Sequence, residues 1–289
     1  MGSTSVLMAL VAEEPIHAGA GRATGVVDLP IQREAHTGWP CVFGSGVKGA
    51  LRALAEELGV SHVDVVFGPG STHGKDHAGA LLVGDARLLL LPIRSLTSHF
   101  KLVTCPAILS RLVRDMTRLG LAGAESLPVP EVEKNSALVM SAQGDLFLEE
   151  LRFTAVPSDL KQIAKVISGL AYGAATSALE AQLTIVHDDD FKYLATFATP
   201  VAAHVRLDSE TKTVQSGALW YEESLPPDTV LYAPLTATAS RKKDHAMSSQ
   251  EVLELMVAML GGRPYLQLAG NETTGMGWCR VRVSESAGA

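Results

Sequence analysis

The chain has 289 residues, 47% of them apolar, three cysteines and a formal net charge of −7. That apolar share is ample for a packed core and excludes a disordered chain, while the negative charge argues against a freestanding nucleic-acid binder, because phosphate neutralisation supplies most non-specific affinity. Cys41, Cys105 and Cys279 form neither a CxxC pair nor an even framework, so a reducing, cytoplasmic setting is expected rather than a disulfide scaffold.

Residues 1–15, MGSTSVLMALVAEEP, hold an apolar run too short to span a bilayer and lack a basic leader, which predicts a first strand over 5–13 and no membrane association. Residues 15–40 show no sustained period and read as a long ordered loop, with Val26, Val27, Leu29 and Ile31 expected inside it. His17 sits in IHAGAG, among small residues that let a backbone approach closely. It reads equally as a surface histidine in a turn and as a functional group. Asp28 is an isolated carboxylate in the same loop.

The loop leads into a Gly/Ser turn, Ser45-Gly46, and then a helix over 45–58. Val47, Ala50, Leu51, Leu54, Ala55 and Leu58 share one face, with Ser45 as N-cap and Gly59 as the stop. Lys48 and Arg52 are four apart and share the opposite face. Free N–H groups and the positive end of the helix dipole suit a phosphate there, and the cations sit where it would lie. A solvated helix face is the other reading. In the glycine-rich stretch 67–78, His73 and His77 have the spacing of zinc ligands on a helix, but the glycines and proline make a loop and no third ligand is near.

Residues 79–92 read as a strand bent at Gly84, and 104–119 as an amphipathic helix whose Arg111, Arg114 and Arg118 are expected to face water. After a Pro/Glu-rich link at 127–133, a strand is predicted over 146–156, a helix over 158–170 and a strand over 179–186. Asp188-Asp189-Asp190 then cap and charge a helix start. Residues 201–221 form two extended runs about a polar turn, the mark of a β-hairpin. The acidic pair Glu222-Glu223 at its end is expected to be solvated. A strand over 229–237 precedes a basic turn with Arg241, Lys242 and Lys243, and Ser248 with Glu251 makes a capping box for a helix over 250–260.

Two last strands, 264–268 and 278–283, are joined by GNETTGMG. Its Gly270, Gly275 and Gly277 lack the lysine of a Walker A loop, and a strand rather than a helix follows, so neither nucleotide fingerprint applies. Glycines here admit a close phosphate backbone, or simply make a hairpin turn.

Four blocks in order carry a family resemblance: HAGAG from His17, DLPIQREAHTGWP with GSGVKGALR from Asp28 to Arg52, LWYEESLP from Leu219, and LAGNETTGMGW from Leu268. Together they resemble the RAMP superfamily, specifically the repeated backbone subunit of Cmr-type (type III-B) CRISPR RNA-guided effector complexes, over nearly the whole chain. The resemblance implies an α+β fold, a ferredoxin-like (RRM-like) palm with long insertions, one RAMP domain over 1–289, and a projecting thumb hairpin at about 201–221. It implies an endoribonuclease that cuts target RNA at regular intervals within an assembled complex, by attack of a ribose 2′-hydroxyl on the adjacent phosphate. Its partners would be guide (CRISPR) RNA, complementary target RNA, further copies of itself in a filament and other Cmr-type subunits.

Asp28 matches the family's essential aspartate, as general base or as ligand to a divalent metal, magnesium or manganese. His17 and Glu222 are the supporting catalytic candidates. Ser45, Gly46, Lys48 and Arg52 would hold guide RNA, and Gly270, Gly275 and Gly277 would meet RNA backbone. Family members often carry tyrosine where this chain has Ser224. A filament reconciles RNA binding with the acidic charge, since local potential decides contacts. A guide-coating scaffold with no chemistry is the alternative.

Overall fold

A computed structural model describes residues 3–23, 25–70, 77–141, 144–173 and 177–284. The first half runs β1 (Thr4–Ala12), β2 (Cys41–Val42), α1 (Gly44–Glu57), α2 (Val63–Phe67), β3 (Leu81–Val83), β4 (Ala86–Ser95), β5 (His99–Thr104) and α3 (Pro106–Arg118). Then come β6 (Ser136–Val139), β7 (Asp145–Leu148), β8 (Leu151–Pro157), α4 (Lys161–Ala171), α5 (Ser177–Gln182), β9 (Leu183–Val186) and α6 (Asp188–Phe197). The chain closes with β10 (Val201–Leu207), β11 (Val214–Glu223), β12 (Val230–Ala237), α7 (Ser249–Gly262), β13 (Tyr265–Gln267) and β14 (Trp278–Val283).

This is a mixed α+β fold built on a 12-stranded sheet ordered β13-β14-β1-β12-β4-β5-β9-β6-β8-β7, with β2 beside β4 and β3 beside β12. One bridge, Ser95 to Leu148, brings β7 back to β4. The strand β1 lies centrally between β12 and β14. Its VLMALVA run is buried without alternation because both faces are covered. The two chain ends thus meet in one sheet, and a contiguous apolar core runs from Val6 to Val281.

Helix ends follow local chemistry, with departures from the expected caps. The α1 helix starts at Phe43 as N-cap rather than Ser45, and no side chain of its own caps it. Asp85 accepts the Gly44 N–H instead, at 2.7 Å. Only glycine fits at 44, since a Cβ there would lie 2.5 Å from the Val83 carbonyl oxygen. At α7 the expected capping box forms, with Ser248 and Glu251 bonding reciprocally. The three aspartates lie in the first turn of α6, as expected, but His187 is its N-cap. Asp188 takes the Ala107 N–H at the start of α3 and Asp190 the Asn135 N–H.

Several expectations are corrected. The strand predicted over 146–156 is the hairpin β7–β8, turned at Glu149, whose φ is 51°. The strand predicted over 179–186 is α5 followed by β9, and β6 was too short to carry a period. Val26 is 91% exposed, whereas Ile31 is buried. Arg111 does not face water: it pairs with Glu34 at 2.5 Å and lies over Trp39. Of the histidine pair, His73 lies outside the described residues, and the His77 ring meets the Asp64 carbonyl at 3.0 Å. The hairpin β10–β11 forms as predicted and is a two-stranded sheet of its own, largely exposed.

Candidate functional site

The long loop before α1 is ordered because it borrows the foot of β11 as a partner. Ile16 and Leu225 exchange N–H···O bonds at 2.9 Å, Leu29 N–H donates to the Tyr221 carbonyl, and Glu223 N–H donates to the Leu29 carbonyl. This pairing places Asp28 beside the hairpin, where its Oδ2 accepts the Tyr221 N–H at 2.8 Å.

Glu222 and Glu223, expected to be solvated, are both buried. Burial of a carboxylate demands partners, and each has them. Glu223 Oε1 accepts from Arg33 and from Thr199, both at 2.5 Å, and its Oε2 accepts the Ile31 N–H at 3.0 Å. Glu222 Oε1 accepts the Asn271 side-chain amide at 2.5 Å. Buried His17 lies with Nδ1 2.7 Å from the Glu223 carbonyl oxygen and 4.0 Å from Glu222 Oε1. A carbonyl can only accept, so Nδ1 carries a proton.

The glycine-rich loop docks onto the same region. Gly270 N–H donates to the His17 carbonyl and Gly277 N–H to the Pro15 carbonyl. Gly277 has φ +88°, and a Cβ there would lie 2.0 Å from the Leu268 carbonyl oxygen. Its glycine requirement is met within the protein. Gly275 also has positive φ, while a Cβ on Gly270 would make only ordinary contact with His17.

Between loop, hairpin and glycine loop opens a cleft of about 670 Å³ whose polar walls are Arg22, Asp28, Arg206, Trp220, Glu222 and Asn271. Trp220 stacks on His204 of β10 at 5.5 Å between ring centroids. Asp28 and Glu222 thus share one cleft, with His17 behind Glu222.

The proposed guide-binding residues lie elsewhere. None of Ser45, Gly46, Lys48 or Arg52 is among the described residues lining this cleft. Ser45 and Gly46 are exposed at the start of α1. Lys48 donates to the Leu81 carbonyl at 3.1 Å, and burial, with the guanidiniums of Arg241 and Arg52 nearby, holds its ammonium below the usual lysine range. Arg52 pairs with Glu56 and donates to the Gly68 carbonyl. Gln32 links the two regions, donating to the Gly19 carbonyl and accepting the Phe43 N–H. Gln32, Arg33, Glu223 and Asn271 lie within the quoted sequence blocks, but that they brace Asp28 and Glu222 could not be read there, because their partners lie far along the chain.

Among the described residues, no three of His, Cys, Asp and Glu gather to hold an ion. Asp28 Oδ1 and Glu222 Oε2 have no protein donor among the described residues.

The RAMP superfamily model matches residues 9–280. The chain belongs to the RAMP superfamily. Within it, the CRISPR system Cmr endoribonuclease Cmr4 of Pyrococcus furiosus is 33% identical over 287 residues, covering 96% of this chain and 95% of that protein. The crystal structure of oligomeric Cmr4 from Pyrococcus furiosus superposes with a TM-score of 0.74 at 28% identity, covering 97% of this RAMP chain and 98% of that one. A chain of the type III-B Cmr-beta complex bound to cognate target RNA, seen by cryo-EM, shares the fold at 21% identity, with a TM-score of 0.75 and 96% of each chain covered.

Proposed function

We propose that this RAMP protein is the repeated backbone subunit of a type III-B Cmr effector complex, an endoribonuclease that holds guide RNA in a filament of its own copies and other Cmr subunits. It cuts the bound complementary target RNA at regular intervals, in the cytoplasm. The observation that carries the reading is the meeting of Asp28 and Glu222 in one cleft at the foot of the exposed hairpin. We read the sheet around β1 as a ferredoxin-like palm, the hairpin β10–β11 as a thumb, and the chain as one RAMP domain over 1–289.

Cleavage needs a 2′-hydroxyl deprotonated, an in-line path to phosphorus and compensation of phosphate charge. Asp28 is fixed through Oδ2 by the Tyr221 N–H, which leaves Oδ1 to take the 2′-hydroxyl proton. Glu222, held by Asn271, and His17 behind it orient and screen the reacting ribose. The thumb splays the strand so that one linkage departs from helical stacking. Gly270, Gly275 and Gly277 shape the floor on which RNA backbone rests. Ser45, Gly46, Lys48 and Arg52 hold guide RNA at the start of α1, outside the cutting cleft.

A divalent ion, magnesium or manganese, is the other use of the Asp28 carboxylate: Asp28 would hold it in place of acting as base. When bound it would offset charge on the phosphate.

The test is Asp28→Ala in a reconstituted complex. Guide binding and assembly are expected to be unchanged and target cutting abolished. Cutting at the wild-type rate would remove Asp28 from the mechanism.

A further inference from the structure

Phosphoryl transfer through a pentacoordinate phosphorus concentrates negative charge on the non-bridging oxygens, and no side chain assigned so far sits opposite it. Asp28 and Glu222 are acids, His17 is buried behind Glu222, and Lys48 and Arg52 lie outside the cleft. The cleft walls nevertheless hold two guanidiniums, Arg22 from the long loop and Arg206 from β10.

Their lack of partners sets them apart. The arginines at 33, 87, 94, 111, 118, 152, 263 and 280 all engage carboxylates, as does Arg52. Arg282 donates to the Gly169 carbonyl. Among the described residues Arg22, Arg114, Arg206 and Arg241 make neither an ion pair nor a hydrogen bond, and two of these four, Arg22 and Arg206, line the cleft that carries Asp28. Both are exposed, so neither helps to hold the fold. Acids and uncommitted guanidiniums in one cleft suit a ligand that has both a proton to lose and an anion to shield, and a ribose phosphodiester has both. The planar fork of arginine matches two phosphate oxygens at once, which an ammonium does not.

Resting on the function proposed above, we infer that Arg22 and Arg206 are catalytic residues that clamp the scissile phosphate of the target strand. The 2′-oxygen bonds to phosphorus as its proton passes to Asp28 Oδ1. The bond from phosphorus to the 5′-oxygen breaks, and that oxygen takes a proton from water, leaving a 2′,3′-cyclic phosphate and a 5′-hydroxyl. The guanidiniums bind most tightly where charge peaks, midway through this exchange. Because Arg206 rides on the hairpin and Arg22 on the loop, the clamp closes only when the hairpin is seated against the target.

The experiment uses reconstituted complexes carrying Arg22→Ala, Arg206→Ala or the corresponding Lys variants, with Asp28→Ala as control. Target affinity is measured separately from the single-turnover cutting rate at saturating complex. The inference predicts a fall of about 10²–10³-fold in rate for each Ala variant, with target Kd within a few-fold and partial recovery in Lys. Rates within twofold of wild type would overturn it, as would weaker target binding with an unchanged saturated rate. If the Arg variants cut normally while Asp28→Ala is dead, the clamp fails and the reading of the cleft stands. If Asp28→Ala cuts normally, both fall.

Discussion

Replacing Glu223 by alanine removes the carboxylate that ties two segments to the foot of β11: the long loop, through Arg33 and the Ile31 N–H, and the stretch beyond α6, through Thr199. The Glu223 side chain is 7% exposed and that of Arg33 22%, so the pair is shielded from water on one side and only partly on the other. Breaking a buried pair by deleting one partner costs about 3–5 kcal/mol, since the remaining charge stays behind. Arg33 retains its hydrogen bonds to the Gly38 and Ala195 carbonyls, which places the expected loss at the lower end, about 3 kcal/mol. Glu223→Gln keeps one oxygen for Arg33 but turns an amide NH₂ toward the Ile31 N–H, donor against donor, at about 1–3 kcal/mol. Urea unfolding of the subunit measures both, as a lowered midpoint at constant slope. A loss under about 1 kcal/mol for the alanine variant would refute the claim that this carboxylate anchors the loop carrying Asp28.

Gly277→Ala, which would put a Cβ 2.0 Å from the Leu268 carbonyl oxygen at positive φ, is expected to destabilise by about 2–4 kcal/mol in the same assay, whereas Gly270→Ala, with its nearest contact at 3.5 Å, is expected to be tolerated. Lys48→Ala is expected to weaken guide binding, and to lower the salt dependence of that binding by about one unit of log–log slope, with no effect on the fold; an unchanged slope would count against a guide grip at α1. The three buried thiols are held neutral, Cys41 pushed up to about 11 by burial and by the nearby carboxylates of Glu34 and Asp85, Cys279 to about 12 chiefly by burial, and Cys105 higher still. They should therefore resist alkylation at pH 8 in the folded protein. Because their folded values lie above the unfolded one, near 8.5, their contribution to stability is complete below about pH 8.5 and is lost as pH rises through 11 and beyond. Flat stability from pH 8 to 11 would contradict it.

The parts of the fold legible in the sequence are those whose signal is local. The 3.6-residue period of Val47, Leu51, Leu54 and Ala55, the Ser248–Glu251 box and the polar turn of the hairpin are all internal to their elements. What escaped depends on distance. The start of α1 is set by Asp85, 41 residues from Gly44, and the inward turn of Arg111 by Glu34, 77 residues away. Glu222 and Glu223 read as solvated because Asn271 and Arg33, which allow their burial, lie 49 and 190 residues off. At the site, the family motif marked Asp28 and Glu222, and the loop's pairing with β11 brings them together. Arg22 and Arg206 carry no motif at all.

The central claim is that each copy of the chain cuts one linkage with its own Asp28, and doping measures it most directly. Complexes are assembled from mixtures of wild-type and Asp28→Ala subunits, and every product of a labelled target is quantified. The account predicts that each product declines in proportion to the fraction of variant subunits, reaching zero when all copies carry it, while target binding holds constant. Products that persist at full yield in the all-variant complex would contradict it.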